Sequence, residues 1–375
     1  MTHHGRRSHI QAVLPHRDDL DAIDMLVHEH PGLRADIAAA CELQPVALTE
    51  LEVLPTSVLA SPRTPIMTPM PSLYCYAMLA LLPGCATANQ FTPGPVIDMH
   101  LHALPVSPEN ARAITEISGL SCATTDEELL TETLAALRRN GVVLALVSGD
   151  NALAWQDHAP ELLWVGAQPG RETVASIRRL HQEGTYKAIA EFSPQYAGLA
   201  PGDPSLEPFF ALAEELDLPV GYHMGLGPPG AAYTVAPEYR MSLSNPLLFE
   251  EVLLRHPNLR LFVMHAGWPM LDEMLGLLHA HPQVYVDIGV IDWALPEKEF
   301  HHYLSRLVGA GFGDRVLFGS DQMDSPAAIG VAIRRIRDAD YLSAEQERAI
   351  LYDNAARFLR LSDEEIALHH ESLSR

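Results

Sequence analysis

Short apolar runs rich in β-branched residues alternate with helix-like segments from about residue 96 onward. Eight such runs predict strands, at residues 96–99, 142–147, 162–167, 188–192, 219–222, 260–264, 284–288 and 315–318. The intervening segments predict helices, for example at residues 126–140, 172–183, 207–216, 247–255 and 270–281. Nearly continuous apolar strands that alternate with helices indicate a parallel sheet covered on both faces. Eight units in about 265 residues therefore predict an α/β fold, a (β/α)8 TIM barrel, rather than an open doubly wound sheet.

The first 90 residues lack this alternation and predict a poorly structured N-terminal extension, which leaves residues 91–375 as the barrel domain. An uncharged run at residues 72–82 is too short to span a bilayer, but it has the length of the apolar core of a secretory signal. We therefore expect a signal or lipoprotein segment at about residues 67–88, with a lipid anchor at Cys85 or cleavage after Ala88. That segment predicts that the protein is exported, either as a periplasmic protein or as one held by a lipid anchor. The alternative is a buried helix packed on the domain, in which case the protein is cytoplasmic.

The formal charge of −23 limits the partners of the protein. Lysine occurs only at Lys187 and Lys298, and no run of basic residues could neutralise a phosphate backbone. We therefore expect a small-molecule substrate and no nucleic acid. The four cysteines show no CxxC spacing, so zinc–thiolate chemistry is not indicated. The oligomeric state stays open, and a homo-oligomer is one option.

Potential metal ligands fall at the ends of five predicted strands. His100 and His102 close strand 1 and share one face of it, with Cα atoms about 7 Å apart. The others are Glu191 on strand 4, His223 on strand 5, His265 on strand 6 and Asp321 on strand 8. Each alone has a structural explanation, such as a hydrogen-bonded core histidine, a helix cap or a carboxylate bonded to backbone. Because the active site of a parallel barrel lies at the C-terminal ends of its strands, the six together predict a metal site.

Five stretches of the chain carry a resemblance to a known family. They are residues 97–102 (IDMHLH), 265–269 (HAGWP), 284–288 (VYVDI), 318–321 (FGSD) and 352–359 (YDNAARFL). Together they resemble the amidohydrolase superfamily, in particular its amidohydrolase-related branch (amidohydrolase family 2) of metal-dependent TIM-barrel hydrolases, over about residues 96–361. The resemblance implies a divalent metal centre of one or two ions, and imidazole and carboxylate ligands suit zinc first, with manganese or iron next.

The resemblance also implies a role for each ligand. His100, His102 and Asp321 would hold the more buried ion. In two-metal members of the family, residues at the positions of His223 and His265 hold a second ion and a strand-4 carboxylate bridges both, as Glu191 is placed to do. In one-metal members the residue at His223 joins the first ion, and the one at His265 polarises the substrate. The sequence lacks the lysine that most two-metal members carboxylate at the bridging position, because Lys187 falls at the start of strand 4.

The reaction expected from this resemblance is hydrolysis of a C–N or C–O bond in a small amide, lactone or ester-like molecule. The expected catalytic residues are His265 and Asp321, the latter as general base and then general acid. Loop residues Tyr233, Arg240, Trp268 and Trp293 are the predicted substrate contacts, although Arg240 also fits a solvated surface position. Alternatives are a non-oxidative decarboxylase of the same superfamily, a TatD-like nuclease, which the acidic charge disfavours, and a non-catalytic binding protein.

Overall fold

Eight parallel strands form the sheet of the computed structural model, which describes residues 94–373, and each strand pairs with the next one in the sequence. The strands are β1 (Val96–His102), β2 (Val142–Ser148), β3 (Leu163–Ala167), β4 (Tyr186–Phe192), β5 (Val220–His223), β6 (Leu261–Met264), β7 (Tyr285–Asp287) and β8 (Val316–Leu317). The backbone N–H of Met99 donates to Phe318 O at 2.9 Å, and that of His102 donates to Gln322 O at 3.0 Å. These bonds join the first strand to the last, so the sheet is nearly closed, and the predicted TIM barrel is confirmed.

Helices follow the strands around the outside of the sheet. They are α1 (Pro108–Ser118), α2 (Asp126–Arg139), α3 (Ala152–His158), α4 (Val174–Gln182), α5 (Glu207–Glu215), α6 (Glu250–Arg255), α7 (Leu271–Ala280), α8 (Ile291–Ala294), α9 (Glu297–Leu307), α10 (Ala327–Arg337), α11 (Ala344–Arg348), α12 (Asn354–Leu359) and α13 (Asp363–Ser372). Sequence explains where they begin: the Thr125 side chain accepts from the N–H of Glu128 at the start of α2, and acidic residues fill the first turn. The predicted helix at 247–255 is shorter as an α-helix, since its first part is the 3₁₀ turn Pro246–Phe249.

Two apolar layers hold the barrel together. The larger one lies between the sheet and the outer helices, and includes Val147, Tyr222 and Phe249. A second layer joins side chains of β1, β2, β4, β6 and β8, strands that are mostly not neighbours in the sheet and can meet only across the barrel interior. Its members from the strands are Ile97, Met99, Leu144, Leu146, Ala188, Ala190, Phe262, Met264 and Leu317. Filling by side chains from alternate strands makes the interior a packed core and not a channel.

Strand β1 contains an irregularity that matters for the site. Its register with β2 shifts between Asp98 and Leu101, so that one extra residue of β1 is accommodated. Ile97 and Met99 belong to the interior layer, and strict alternation would turn His100 and His102 to the opposite face. An inserted residue of this kind reverses which positions face inward, as in a β-bulge. The histidines beyond it therefore also face the barrel axis, at the mouth.

The N-terminal extension, the segment at about 67–88 and Cys85 lie outside the described residues. Their assignment as an extension, a signal or a lipid anchor stays a prediction. Within residues 94–373, no helix has the length and apolar character needed to cross a membrane.

Candidate active site

The six predicted ligands meet at the C-terminal mouth of the barrel, and the first group of them comes from β1 and the segment after β8. His100 Nε2 and His102 Nε2 lie 3.2 Å apart. Asp321 Oδ1 lies 3.0 Å from His102 Nε2 and 3.5 Å from His100 Nε2. All three side chains are buried. Two imidazole nitrogens and one carboxylate oxygen therefore converge on one point.

Glu191 connects this group to a second one. Its Oε2 lies 3.6 Å from His102 Nε2, while its Oε1 contacts His223 Nδ1 and lies 3.9 Å from His265 Nε2. His265 Nε2 in turn lies 3.1 Å from His223 Nδ1. The carboxylate of Glu191 thus stands between two pairs of histidines.

The chemistry of these donors fits a divalent cation. Three trios have ligand atoms that all lie within 4.8 Å of one another: His100–His102–Glu191, Glu191–His223–His265 and His100–His265–Asp287. His223 turns Nδ1 toward this cluster, where it contacts Glu191 Oε1 and lies 3.1 Å from His265 Nε2, so Nδ1 is the atom that would bind an ion. Its Nε2 is also buried and has no hydrogen-bond partner among the described residues, which is unusual for a buried polar atom. Imidazole and carboxylate together suit zinc, manganese or iron.

Asp287, at the end of β7, positions two of the histidines, and it was missed as a site residue in the sequence. Its Oδ2 lies 3.2 Å from His100 Nδ1. Its Oδ1 accepts from the backbone N–H groups of His265 at 3.1 Å and Gly289 at 2.8 Å. A carboxylate on Nδ1 fixes the ring and leaves Nε2 free to bind a metal. The signal for it was present: an acidic residue closes an otherwise apolar strand, in the run VYVDI.

His102 and His265 also have a partner at Nδ1, whereas His223 turns its Nδ1 toward Glu191. Ser148 Oγ lies 3.3 Å from His102 Nδ1, and His265 Nδ1 donates to Gly289 O at 3.0 Å. Because a carbonyl can only accept, His265 carries its proton on Nδ1, and its Nε2 has the free lone pair. The Nε2 atoms of His100, His102 and His265 therefore face the ligand cluster.

Buried charges dominate the electrostatics of the mouth. Burial alone would lower the pKa of His100, but the carboxylates of Asp321, Asp287 and Glu191 outweigh it and raise that pKa to about 10. Burial and the nearby His223 lower the pKa of His265 to about 4. Burial opposes ionisation of Asp321 and Glu191, yet the surrounding histidines hold the pKa of each carboxyl below its usual value. The cluster strongly attracts positive charge, as a cation site should.

Tight backbone packing shapes the mouth at two glycines. A Cβ at Gly319 would stand 2.7 Å from the Cβ of His100, and one at Gly289 would stand 3.0 Å from His100 Nδ1. His265 and Asp321 themselves have positive φ angles, 57° and 45°. Non-glycine residues in this region are strained, and such strain concentrates at functional sites.

A cavity of about 150 Å³ opens above the ligands and reaches His102, Glu191, His223, His265 and Asp321. Its walls are mostly apolar side chains from α1, the loop after β5, the segment around α8 and the segment after β8. Asn110 and Tyr196 also line it, and the Tyr196 ring lies 4.9 Å from the ring of His223, measured between centroids. Tyr196 was not identified in the sequence, because nothing in its neighbourhood marks it as different from other loop tyrosines.

Of the four predicted substrate contacts, one lines the cavity and three lie away from it. Trp293 lines the cavity, and its Nε1–H donates to Ser320 O at 2.7 Å. Tyr233 is 93% exposed, and Arg240 donates to the carbonyls of its own loop at Pro237 and Tyr239. The Nε1–H of Trp268 donates to Glu299 Oε1 at 3.1 Å. These three residues do not line the cavity.

Two further aspartates are buried near the cluster. Asp98 Oδ1 accepts from the N–H of His100 at 3.0 Å and of Ser320 at 2.9 Å, and burial raises the pKa of Asp98 to about 6. Asp292, on α8, is fully buried, and neither carboxyl oxygen has a partner among the residues that the structure describes. Burial, followed by the charge of Asp98, raises the pKa of Asp292 well above its ordinary value.

Comparison with known proteins identifies the family of the chain and finds solved structures with the same fold. The family model described as Amidohydrolase matches residues 97–361. An uncharacterized TIM-barrel protein from Bordetella bronchiseptica is 18% identical, with a TM-score of 0.56 over 73% of this chain and 99% of its own. A 5-carboxyvanillate decarboxylase from Novosphingobium aromaticivorans, in complex with manganese, is 13% identical, with a TM-score of 0.51 over 72% of this chain and 97% of its own.

A third structure is that of a probable 2-pyrone-4,6-dicarboxylic acid hydrolase from Acinetobacter baumannii. It is 15% identical, with a TM-score of 0.50 over 71% of this chain and 99% of its own. At these identities the three structures establish the shared fold. Among curated proteins, no sequence matches the chain.

Proposed function

The chain belongs to the amidohydrolase family and is an enzyme of the amidohydrolase type, and from this premise we propose that it is a metal-dependent hydrolase. Its reaction is the cleavage of a C–N or C–O bond in a small amide, lactone or ester-like substrate. The alternative reaction within the superfamily is decarboxylation, because one of the solved structures with the same fold is a decarboxylase.

The position of Glu191 is the observation that carries the proposal. One carboxylate oxygen faces His102 and the other faces His223 and His265, so the two oxygens serve two different histidine groups. A carboxylate between two sets of ligands is the arrangement expected of a two-metal centre. Two ions held there would supply the charge stabilisation that a displacement by water needs, which is hydrolytic chemistry.

His100, His102 and Asp321 would hold one ion, and His223 with His265 the other, with Glu191 shared. A divalent ion there supplies Lewis-acid chemistry, by acidifying a water molecule and polarising the oxygen of the scissile group. We propose zinc as the resident metal because of the imidazole-rich donor set.

Asp321 is the proposed proton shuttle. Its Oδ1 faces His100 and His102, while its Oδ2 lies 3.7 Å from His265 Nδ1, and the side chain also lines the cavity. Because its pKa is lowered, the carboxylate is ionised at neutral pH and can accept a proton from water. It can then return that proton to the leaving group. His265, whose lowered pKa keeps it neutral, retains at Nε2 the free lone pair that a metal ligand needs.

Metal analysis of Glu191→Gln tests the proposal directly. The wild-type protein should bind two equivalents of metal and hydrolyse at least one ester, lactone or amide from a panel. Since an amide cannot bridge two ions as a carboxylate does, Glu191→Gln should bind one equivalent or less. Glu299→Gln is the matched control, because Glu299 contacts Trp268 away from the cavity. One equivalent in both Glu191→Gln and wild type would contradict a two-metal hydrolase and favour decarboxylation.

A further inference from the structure

The cavity above the metal ligands has a charged floor and uncharged walls. The floor consists of the ligands themselves. The walls include Ile114, Ile117, Leu226, Val290, Trp293 and Met323. Of the residues described by the structure, no lysine and no arginine lines this cavity. Asn110 and Tyr196 are the polar side chains of the wall, and neither an amide nor a phenol carries a charge at neutral pH.

The arginines closest in sequence to the residues that line the cavity are engaged elsewhere. Arg112 of α1 does not line the cavity; its side chain is 79% exposed and pairs with Glu116 of the same helix at 3.5 Å. Arg240, after the loop that contributes Leu226, donates to the carbonyls of Pro237 and Tyr239. Arg335 of α10 donates to the carbonyls of Asp292 and Leu295 from behind α8. Neither side chain lines the cavity. A substrate carboxylate placed against the wall would therefore lose its hydration without gaining a cationic partner, which is strongly unfavourable.

We propose that the substrate is electrically neutral and presents an apolar group about the size of a benzene ring to this wall. This inference rests on the proposed hydrolytic function and narrows its substrate class. The cavity volume of about 150 Å³ sets the upper limit on this group, since a cavity of that volume accommodates one benzene molecule. The reactive ester, lactone or amide group then meets the ligands at the floor, and the apolar group packs against side chains such as Leu226 and Trp293.

The test compares two esters of the same geometry, phenyl acetate and its para-carboxylate, 4-acetoxybenzoate. The metal-loaded wild-type enzyme should favour phenyl acetate by at least about 100-fold in kcat/KM, because only the second ester places a charge against the wall. Ile117→Arg places a cation at the mouth, where Ile117 is 45% exposed, and should reduce this preference at least tenfold. Leu153→Arg is the matched control: Leu153 is 46% exposed, lies on α3 outside the cavity and should leave the preference unchanged.

Binding separates this inference from the proposed function. The unreactive ketone 4-phenylbutan-2-one and its para-carboxylate are titrated into the wild-type enzyme by calorimetry, and the neutral ketone should bind at least tenfold more tightly. Equal or tighter binding of the carboxylate, or equal kcat/KM for the two esters, would overturn the neutral substrate class while leaving hydrolysis intact. Tighter binding of the neutral ketone together with no hydrolysis of any ester, lactone or amide would overturn the hydrolase and leave the inference standing.

Discussion

The barrel interior divides into two regions that are built from the same strands for different purposes. Below, Ile97, Met99 and Phe262 form an apolar layer that is fully buried. Above, within a few residues along the same strands, the side chains are histidines and carboxylates with shifted pKa values. Burial of apolar side chains stabilises the lower region, whereas the upper region buries charged groups and holds the backbone of two residues in a strained conformation. The difference shows where the fold is stabilised and where that stability is used for chemistry.

The largest expected effect comes from removing the proton shuttle of the upper region. Asp321→Asn keeps the size of the side chain and one oxygen that can bind metal, but the amide cannot accept a proton. We expect activity to fall by about 10²- to 10⁴-fold. Folding should be normal, and measurable metal should be retained, by elemental analysis. Turnover within a few-fold of wild type by a metal-loaded variant would assign the shuttle to another residue, with His265 the next candidate.

The same comparison predicts the opposite result for the lower region. Phe262 is fully buried in the interior layer, so Phe262→Ala leaves a cavity and should reduce the free energy of unfolding by about 3–5 kcal/mol. Activity per folded molecule should change little, because no atom of Phe262 lines the active-site cavity. Denaturant unfolding and kcat, measured on the same sample, check both parts. If Phe262→Ala kept its stability but lost its activity, the assignment of stability to the lower region and of chemistry to the upper region would be wrong.

An intermediate effect is expected where the regions meet, at Asp287. Asp287→Asn removes the charge that holds His100 Nδ1 while keeping an oxygen for the N–H groups of His265 and Gly289. Loss of such a supporting carboxylate typically weakens metal binding about 10- to 100-fold. Competition with a chelator measures the affinity. The matched change is Asp314→Asn, at an exposed position in the turn before β8, at the other end of that strand from the site. It should leave the metal affinity unchanged.

Much of this could be predicted from the sequence. The alternation of apolar runs and helices predicted the barrel, because burial on both faces leaves a pattern that is nearly continuous along each strand. Strand-end positions predicted His100, His102, Glu191, His223, His265 and Asp321 as neighbours, and the structure brings them together. These predictions depend on periodicity and on strand order, both of which can be inferred from the order of residues in the chain.

Other features depend on three-dimensional detail that the pattern does not contain. Strict alternation would place His100 opposite Met99, and only the irregular register of β1 brings both to the interior. Tyr233 and Trp268 occupy the expected loops, yet those loops fold so that one side chain points to solvent and the other contacts Glu299. Tyr196 enters the cavity through a 3₁₀ turn, Pro194–Ala197, that carries no sequence signal for a site.

The last expected effect, which is absent near pH 4 and grows with pH, concerns Asp292 behind the upper region. Its raised pKa means that the folded protein keeps a proton that the unfolded chain releases near the ordinary value of 3.8. Asp292 therefore lowers stability progressively as pH rises from about 4 toward its folded pKa, by about 1.4 kcal/mol per pH unit. Asp292→Asn cannot ionise, so in metal-free protein the variant should match wild type near pH 4 and become increasingly more stable above it. Chemical denaturation at several pH values measures the difference. A difference that stays constant with pH would mean that Asp292 is ionised in the folded protein and has found a partner.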